Sequence, residues 1–361
     1  MEVKNKDLKL QPDRIPSLDG WRGVSILLVI LGHQVVDGSS LMSPSPFSSY
    51  FKWLTWHIYG VEVFFVISGF LITSLLMKEL EKTKRISLRD FYIRRIFRIL
   101  PTYYLLLFVV FLLNKVNNGG EILTAKDFLK SLFFVSDFDF DRSSWTLGHS
   151  WSLSVEEQFY LLWPAVFCIP KLRKIVPVFF ICMAPLFRII HHRYQLFGDA
   201  AFLLHCDAIF IGAFFAMGKR EWIGKYKYII VGAAAISLFC EKEIIPYSGF
   251  ITVPFARTLF SGAIICLIFE SFKQGSVLYR ILNTKGLVRI GLISYSLYLW
   301  QQLFFPPSIL GQQKITNFPI NIPVMFVLAY ASYRFVEAPF IKLRKRLLLP
   351  AQYAKTKAGS G

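Results

Sequence analysis

Charge-poor apolar runs separated by polar connections recur along the whole chain. Most are long enough to cross a hydrocarbon layer roughly 30 Å thick as a helix. They fall at 22–36, 58–77, 100–114, 151–169, 175–190, 200–217, 228–240, 251–272, 286–305 and 321–340. The pattern predicts an all-α polytopic membrane protein of about ten transmembrane helices. The seventh run is short and carries Gly232 beside three alanines. Between the second and third runs, residues 87–99 set Phe91, Ile93, Ile96 and Phe97 against arginines at helical spacing. That predicts a cytoplasmic amphipathic helix along the membrane surface, ahead of a dive at Pro101. The stretch 128–135 is too short to cross and reads as a surface or re-entrant piece. The expected organisation is a cytoplasmic tail (1–16), a ten-span membrane domain (17–341) and a basic cytoplasmic tail (342–361). No internal repeat is visible, which counts against the common secondary-transporter architectures.

A formal net charge of +18 raises the question of nucleic acid. The placement of the charge answers it. Lysine and arginine gather in alternate connections, the positive-inside pattern, which puts both termini in the cytoplasm and the basic segments against anionic lipid. No nucleic-acid partner is expected. The N-terminal tail, with Lys4, Lys6, Lys9 and Arg14, is basic, and no small-residue cleavage pattern follows the first run. That run therefore reads as a first span, not a signal peptide. None of the five cysteines and six histidines has metal-ligand spacing, so neither a metal nor a disulfide framework is expected.

Two residues of the first span break its apolar pattern. Arg22 stands at its entrance and His33 deep inside, and by helical geometry they share a face about 16 Å apart along the axis. An ionisable side chain inside a membrane is a functional-site hypothesis by default, with a packing histidine as the plain alternative. The topology brings other polar groups to the outer half of the bundle: Glu62, then His149, Ser152, Ser154, Glu156 and Glu157, then Tyr295, Ser296, Tyr298, Trp300 and Gln301. An imidazole among carboxylates, hydroxyls and aromatics suits proton removal from a hydroxyl substrate. Glu62 or Glu157 could orient the His33 ring, and Ser154, Glu156, Tyr295, Tyr298, Trp300 and Gln301 are candidates for the acceptor site. At the cytoplasmic face Arg22, Arg94, Arg95 and Arg98 could hold phosphates, or serve only as positive-inside charge. Together these suggest a long phosphate-bearing donor anchored on the arginines and threaded to His33. The alternative is a proton-coupled transporter or flippase of a lipid-linked or small-molecule substrate. Of the remaining buried charges, Asp207 is expected to pair with Arg257, and Arg334 with Glu337.

Several stretches resemble one family in order. They are SLDGWRGVSILLVILGH (17–33), GVEVFFVISGFLIT (60–73), FYIRRIFRILP with Arg95 and Arg98, SWSLSVEEQFYLLWP (150–164), CDAIFIG with Asp207 and Gly212, SYSLYLW (294–300) and RFVEAPF (334–340). Together they are similar to the acyltransferase-3 type of integral-membrane acyltransferases. The resemblance implies a bacterial inner-membrane enzyme with no bound cofactor. Such an enzyme takes acyl-CoA, by default acetyl-CoA, from the cytoplasm. It moves the acyl group to a hydroxyl of an extracytoplasmic or lipid-linked glycan, such as lipopolysaccharide O-antigen, exopolysaccharide or peptidoglycan. Carried over residue by residue, Arg22 and His33 form the essential pair, Arg95 and Arg98 hold the donor, and Glu157 supports the site. His33 acts as base or as transient acyl carrier. One position departs: many members carry histidine where this chain has Gln301, which can hydrogen-bond but cannot act as a base. With little chain after the tenth run, the resemblance also implies completion of transfer by the membrane domain or by a separate extracytoplasmic transferase protein.

Overall fold

The computed structural model describes residues 15–36, 57–116, 123–138, 144–196, 198–218, 226–236, 245–305, 309–310 and 313–358. Pro44, Pro46 and Lys52 of the first connection, and residues 237–240 of the seventh run, lie outside them. All regular structure among the described residues is helical. Among the described residues, four helices are by length and composition able to cross a membrane: Ile58–Thr83, Leu88–Val116, Leu172–Tyr194 and Asn321–Leu348.

The centre of the bundle is built from α1 (Pro16–Val36), α2 (His57–Thr83) and the helix Phe202–Met217. Backbones touch where α2 crosses that helix. A Cβ on Gly69 would stand 1.8 Å from the Ile209 carbonyl oxygen, and one on Gly212 would stand 2.1 Å from that of Val66. Small residues permit this approach, which in lipid replaces the hydrophobic drive with dispersion contact. Gly212, one of the motif residues, thus has a packing reason.

Two expectations are corrected. The helix α3 (Leu88–Val116) runs unbroken through Pro101, so the expected surface helix is the first half of a longer one. Its polar face is turned inward, where Arg94, Arg95 and Arg98 line an internal cavity. A cavity wall and a headgroup layer demand the same amphipathic spacing, so periodicity could not separate them. The ninth run is also not one helix. It divides into Lys285–Leu292 and Ser294–Trp300, followed by a 3₁₀ turn at Gln301–Phe304. Backbone irregularity at membrane depth is tolerated where it is enclosed by protein or lines a cavity, and Gln301 and Gln302 at this break are buried.

Candidate functional site

Three cavities lie in succession along α1. The first, about 510 Å³, opens at the end of the bundle where α1 begins and α2 ends. Arg22, Arg94, Arg95, Arg98 and Arg344 line it against Asp19, Glu79 and Glu337. Arg94 is bound to Glu79 at 3.0 Å. Arg95 lies over the rings of Phe91 and Tyr160, 5.6 and 5.1 Å from their centroids. Stacking fixes its plane while leaving in-plane donors for a ligand. The four arginines expected from the sequence therefore share one cavity, joined by Arg344, which the basic C-terminal run concealed.

The second cavity, about 50 Å³, is a neck. Arg22 belongs to it as well as to the first. Val61, Phe64, Phe65, Leu153, Tyr295 and Tyr298 supply apolar wall, and Ser68 donates to Glu156 at 2.7 Å within it. The third cavity, about 380 Å³, lies at the opposite end of α1 and shares Val61 and Tyr298 with the neck. His33, His149, Trp145, Trp151, Gly148 and Gln302 line it. The α1 spacing inferred from the sequence is what sets Arg22 at one end of this track and His33 at the other.

His33 Nδ1 lies 2.7 Å from Gln301 Oε1. Gln301 Nε2 donates to Gln302 Oε1 at 3.3 Å, an arrangement that turns the Gln301 oxygen toward the histidine. Trp145 and Phe305 pack edge-on against the His33 ring at 5.6 and 5.9 Å. An amide oxygen only accepts, so Nδ1 is the donor in this pair. The His33 ring is thus oriented by the glutamine at the departing position.

Neither expected carboxylate orients that ring. Glu62 stands behind the cavity wall, with Oε1 3.5 Å from His205 Nδ1 and Oε2 accepting from Ser261 at 3.2 Å. His205 in turn packs on Trp151 at 4.7 Å. Glu157 interacts electrostatically with Arg95. Among the acceptor candidates, Glu156, Tyr295 and Tyr298 face the neck, and Tyr298 also faces the outer cavity. Ser154 is committed elsewhere, donating to the Ser150 carbonyl and accepting from the Ser136 amide. Trp300 is buried and lines none of the three cavities.

The expected charge pairs are replaced. Asp207 meets Arg188 at 2.5 Å, not Arg257, and Thr258 donates to the same carboxylate. Arg188 is the intramembrane charge the sequence reading passed over, although it interrupts an apolar run. Glu337 accepts from Ser296 at 3.1 Å while Arg334 is exposed. A π turn at Tyr333–Glu337 shifts the register that an i,i+3 pair requires.

The sequence places His149 in or above the outer half of the bundle and assigns it no separate role. His149 precedes the helix Ser150–Phe167 in a connection outside the apolar run. Burial, with the His33 ring nearby, pushes its imidazole down to about 3, so it is neutral.

A family model described as an acyltransferase domain matches residues 15–334. The chain is similar to O-acetyltransferase OatA of Staphylococcus aureus strain MRSA252, at 30% identity over 98% of this chain and 62% of that protein. With the protein of the same name from strain NCTC 8325 it shares 30% identity over 94% of this chain and 59% of that one. It therefore spans about three fifths of the length of these curated relatives. No solved structure matches it. A match over most of the chain, following the motifs in order, places the protein in the acyltransferase-3 family.

Proposed function

We propose that the protein is a membrane O-acyltransferase. It takes an acyl group from acyl-CoA at the arginine cavity and delivers it to a hydroxyl at the His33 cavity, on the far side of the membrane. The observation that carries this reading is the shared walls. Arg22 belongs to both the first and second cavities, and Val61 and Tyr298 to both the second and third. A donor whose phosphates stop on guanidinium groups, and whose thin pantetheine arm passes a narrow neck, fits that sequence of spaces. Arg22, Arg95 and Arg98 bind phosphate, and His33 Nε2 accepts the hydroxyl proton or carries the acyl group. The relatives are named O-acetyltransferases, which supports acetyl as the group moved. The aromatic wall of Trp145, Trp151 and Tyr298 suits the apolar faces of a sugar, which supports a glycan acceptor. The family implies ten spans in the bacterial inner membrane, with the arginine end cytoplasmic, and the charge pattern agrees.

The test is release of CoA thiol by the purified chain in proteoliposomes given acetyl-CoA, with and without candidate glycans. Wild type should turn over and His33→Ala should not, at equal folded yield. Equal rates would overturn the role of His33. Solute flux without thiol release from any acyl-CoA would favour a transporter instead.

A further inference from the structure

Among the groups that line the outer cavity, one is neither bonded within the protein nor used by the mechanism above. His149 is 5% exposed, and neither ring nitrogen has a partner in hydrogen-bonding geometry. The Leu299 carbonyl lies nearby without meeting that geometry. A buried imidazole with both nitrogens unused is costly, and a polar ligand group in the cavity would offset that cost. Its position is not slack. The His149 carbonyl accepts from Ser152 Oγ at 3.0 Å and from Tyr298 Oη at 3.3 Å, and the Tyr298 ring packs edge-on against the imidazole at 5.6 Å. The ring is held at the wall of the cavity that also contains His33.

We infer that His149 is a second catalytic residue, whose imidazole N–H donates to the thioester carbonyl oxygen as it becomes an oxyanion. The inference rests on the acyl-transfer reading. In the direct route the acceptor oxygen attacks the thioester carbon and forms the new C–O bond. The carbonyl electron pair moves onto the oxygen facing His149. Collapse restores the C=O bond and breaks C–S. The hydroxyl proton passes to His33 and from there to the departing thiolate. The same donor serves if His33 Nε2 is the first nucleophile. A fixed donor that needs no reorganisation is the arrangement that stabilises such a charge.

The experiment uses the full chain in proteoliposomes, acetyl-CoA as probe, water as acceptor and thiol release as readout. His149→Leu, which keeps bulk and removes the donor, should lower kcat about 10²–10³-fold with KM for acetyl-CoA within about threefold. His149→Gln, which restores an N–H, should recover at least about tenfold of that loss. The titratable side chains facing His149 are His33 and Tyr298, and the acid limb of the pH–rate profile should not move in His149→Gln, because the donor does not titrate. A kcat for His149→Leu within about threefold of wild type overturns the inference, as does no recovery in a folded Gln variant. Loss of the acid limb would make His149 the titrating base and equally overturn it. If neither variant folds, His149 is a packing residue. Absence of thiol release by wild type from acetyl-CoA or longer acyl-CoAs, with candidate glycans as well as water as acceptor, defeats the acyl-transfer reading itself, and this inference with it.

Discussion

Replacing Gln301 by leucine tests how His33 is oriented. The side chain is buried and its oxygen lies 2.7 Å from His33 Nδ1. Leucine approximates the volume and removes the acceptor. With His33 as the proposed base, the bond would join two neutral groups before proton transfer, worth about 0.5–1.5 kcal/mol, and would have a charged donor after it, worth about 1.5–3 kcal/mol. Only the difference, ~1–2 kcal/mol, acts on the barrier, and it corresponds to a fall of about 5- to 30-fold in kcat. Trp145 and Phe305 still flank the ring, so its position survives and the loss comes from tautomer and charge. Gln301 does not line the arginine cavity, so KM for acetyl-CoA should hold. Initial rates of thiol release across a range of acetyl-CoA concentrations measure both constants, with His33→Ala as the floor. A kcat within about twofold of wild type, or a raised KM at unchanged kcat, would refute the assignment.

Other substitutions separate the parts of the track. Arg95→Ala removes a stacked guanidinium from the first cavity and should raise KM for acetyl-CoA by about 10- to 100-fold, read from the same kinetics; unchanged KM would remove Arg95 from the donor site. Val61→Phe puts a ring into a neck of about 50 Å³ and should abolish turnover while calorimetry still shows acetyl-CoA binding; undiminished turnover would mean the acyl group takes another path. Arg188→Leu strands the Asp207 carboxylate and should cost about 3–5 kcal/mol, seen as a lowered melting temperature in detergent, with Arg257→Leu costing much less; the reverse order would restore the pairing expected from sequence.

What was legible in the sequence was whatever a single helix settles by itself. Arg22 and His33 are placed by the rise of α1 alone, and Arg95 and Arg98 by the first turns of α3. What was illegible needed a second element. The apolar letters of SYSLYLW read as one continuous span because hydropathy does not register a break at Ile293 or a 3₁₀ turn at Gln301, yet that turn delivers the amide to His33. Glu62 was placed at a suitable depth on the wrong side of its helix, since depth fixes distance along the axis and not the neighbour around it. Arg334 and Glu337 failed as a pair because a π turn is invisible to a count of residues. Arg188 was within reach: a guanidinium in an apolar run needs a partner, and Asp207 was the available buried acid.

The cavities also bear on acyl-chain choice, which composition leaves open. In the proposed reading, phosphates held by Arg95 and Arg98 would set a stop, and the length of the pantetheine arm would then fix the depth reached by the thioester. Arg22 and His33 are separated along α1 by about 16 Å, the interval that arm must cover. The acyl group leads, and it meets the neck before the His33 cavity opens to about 380 Å³. The neck is walled by Val61, Phe64, Phe65, Leu153 and Tyr298, which bind a slender chain by dispersion and resist a bulky one, because packed walls yield little. That reading predicts size selection at the neck and not in the His33 cavity. With acetyl-, butyryl- and isobutyryl-CoA compared under one set of conditions, kcat/KM should fall from acetyl to butyryl and further to isobutyryl at equal carbon number, since branching widens the leading group. Replacing Phe64 by alanine should narrow the gap between the two four-carbon donors. If isobutyryl matched butyryl in wild type, or Phe64→Ala left their ratio unchanged, the neck would not be the path of the acyl group.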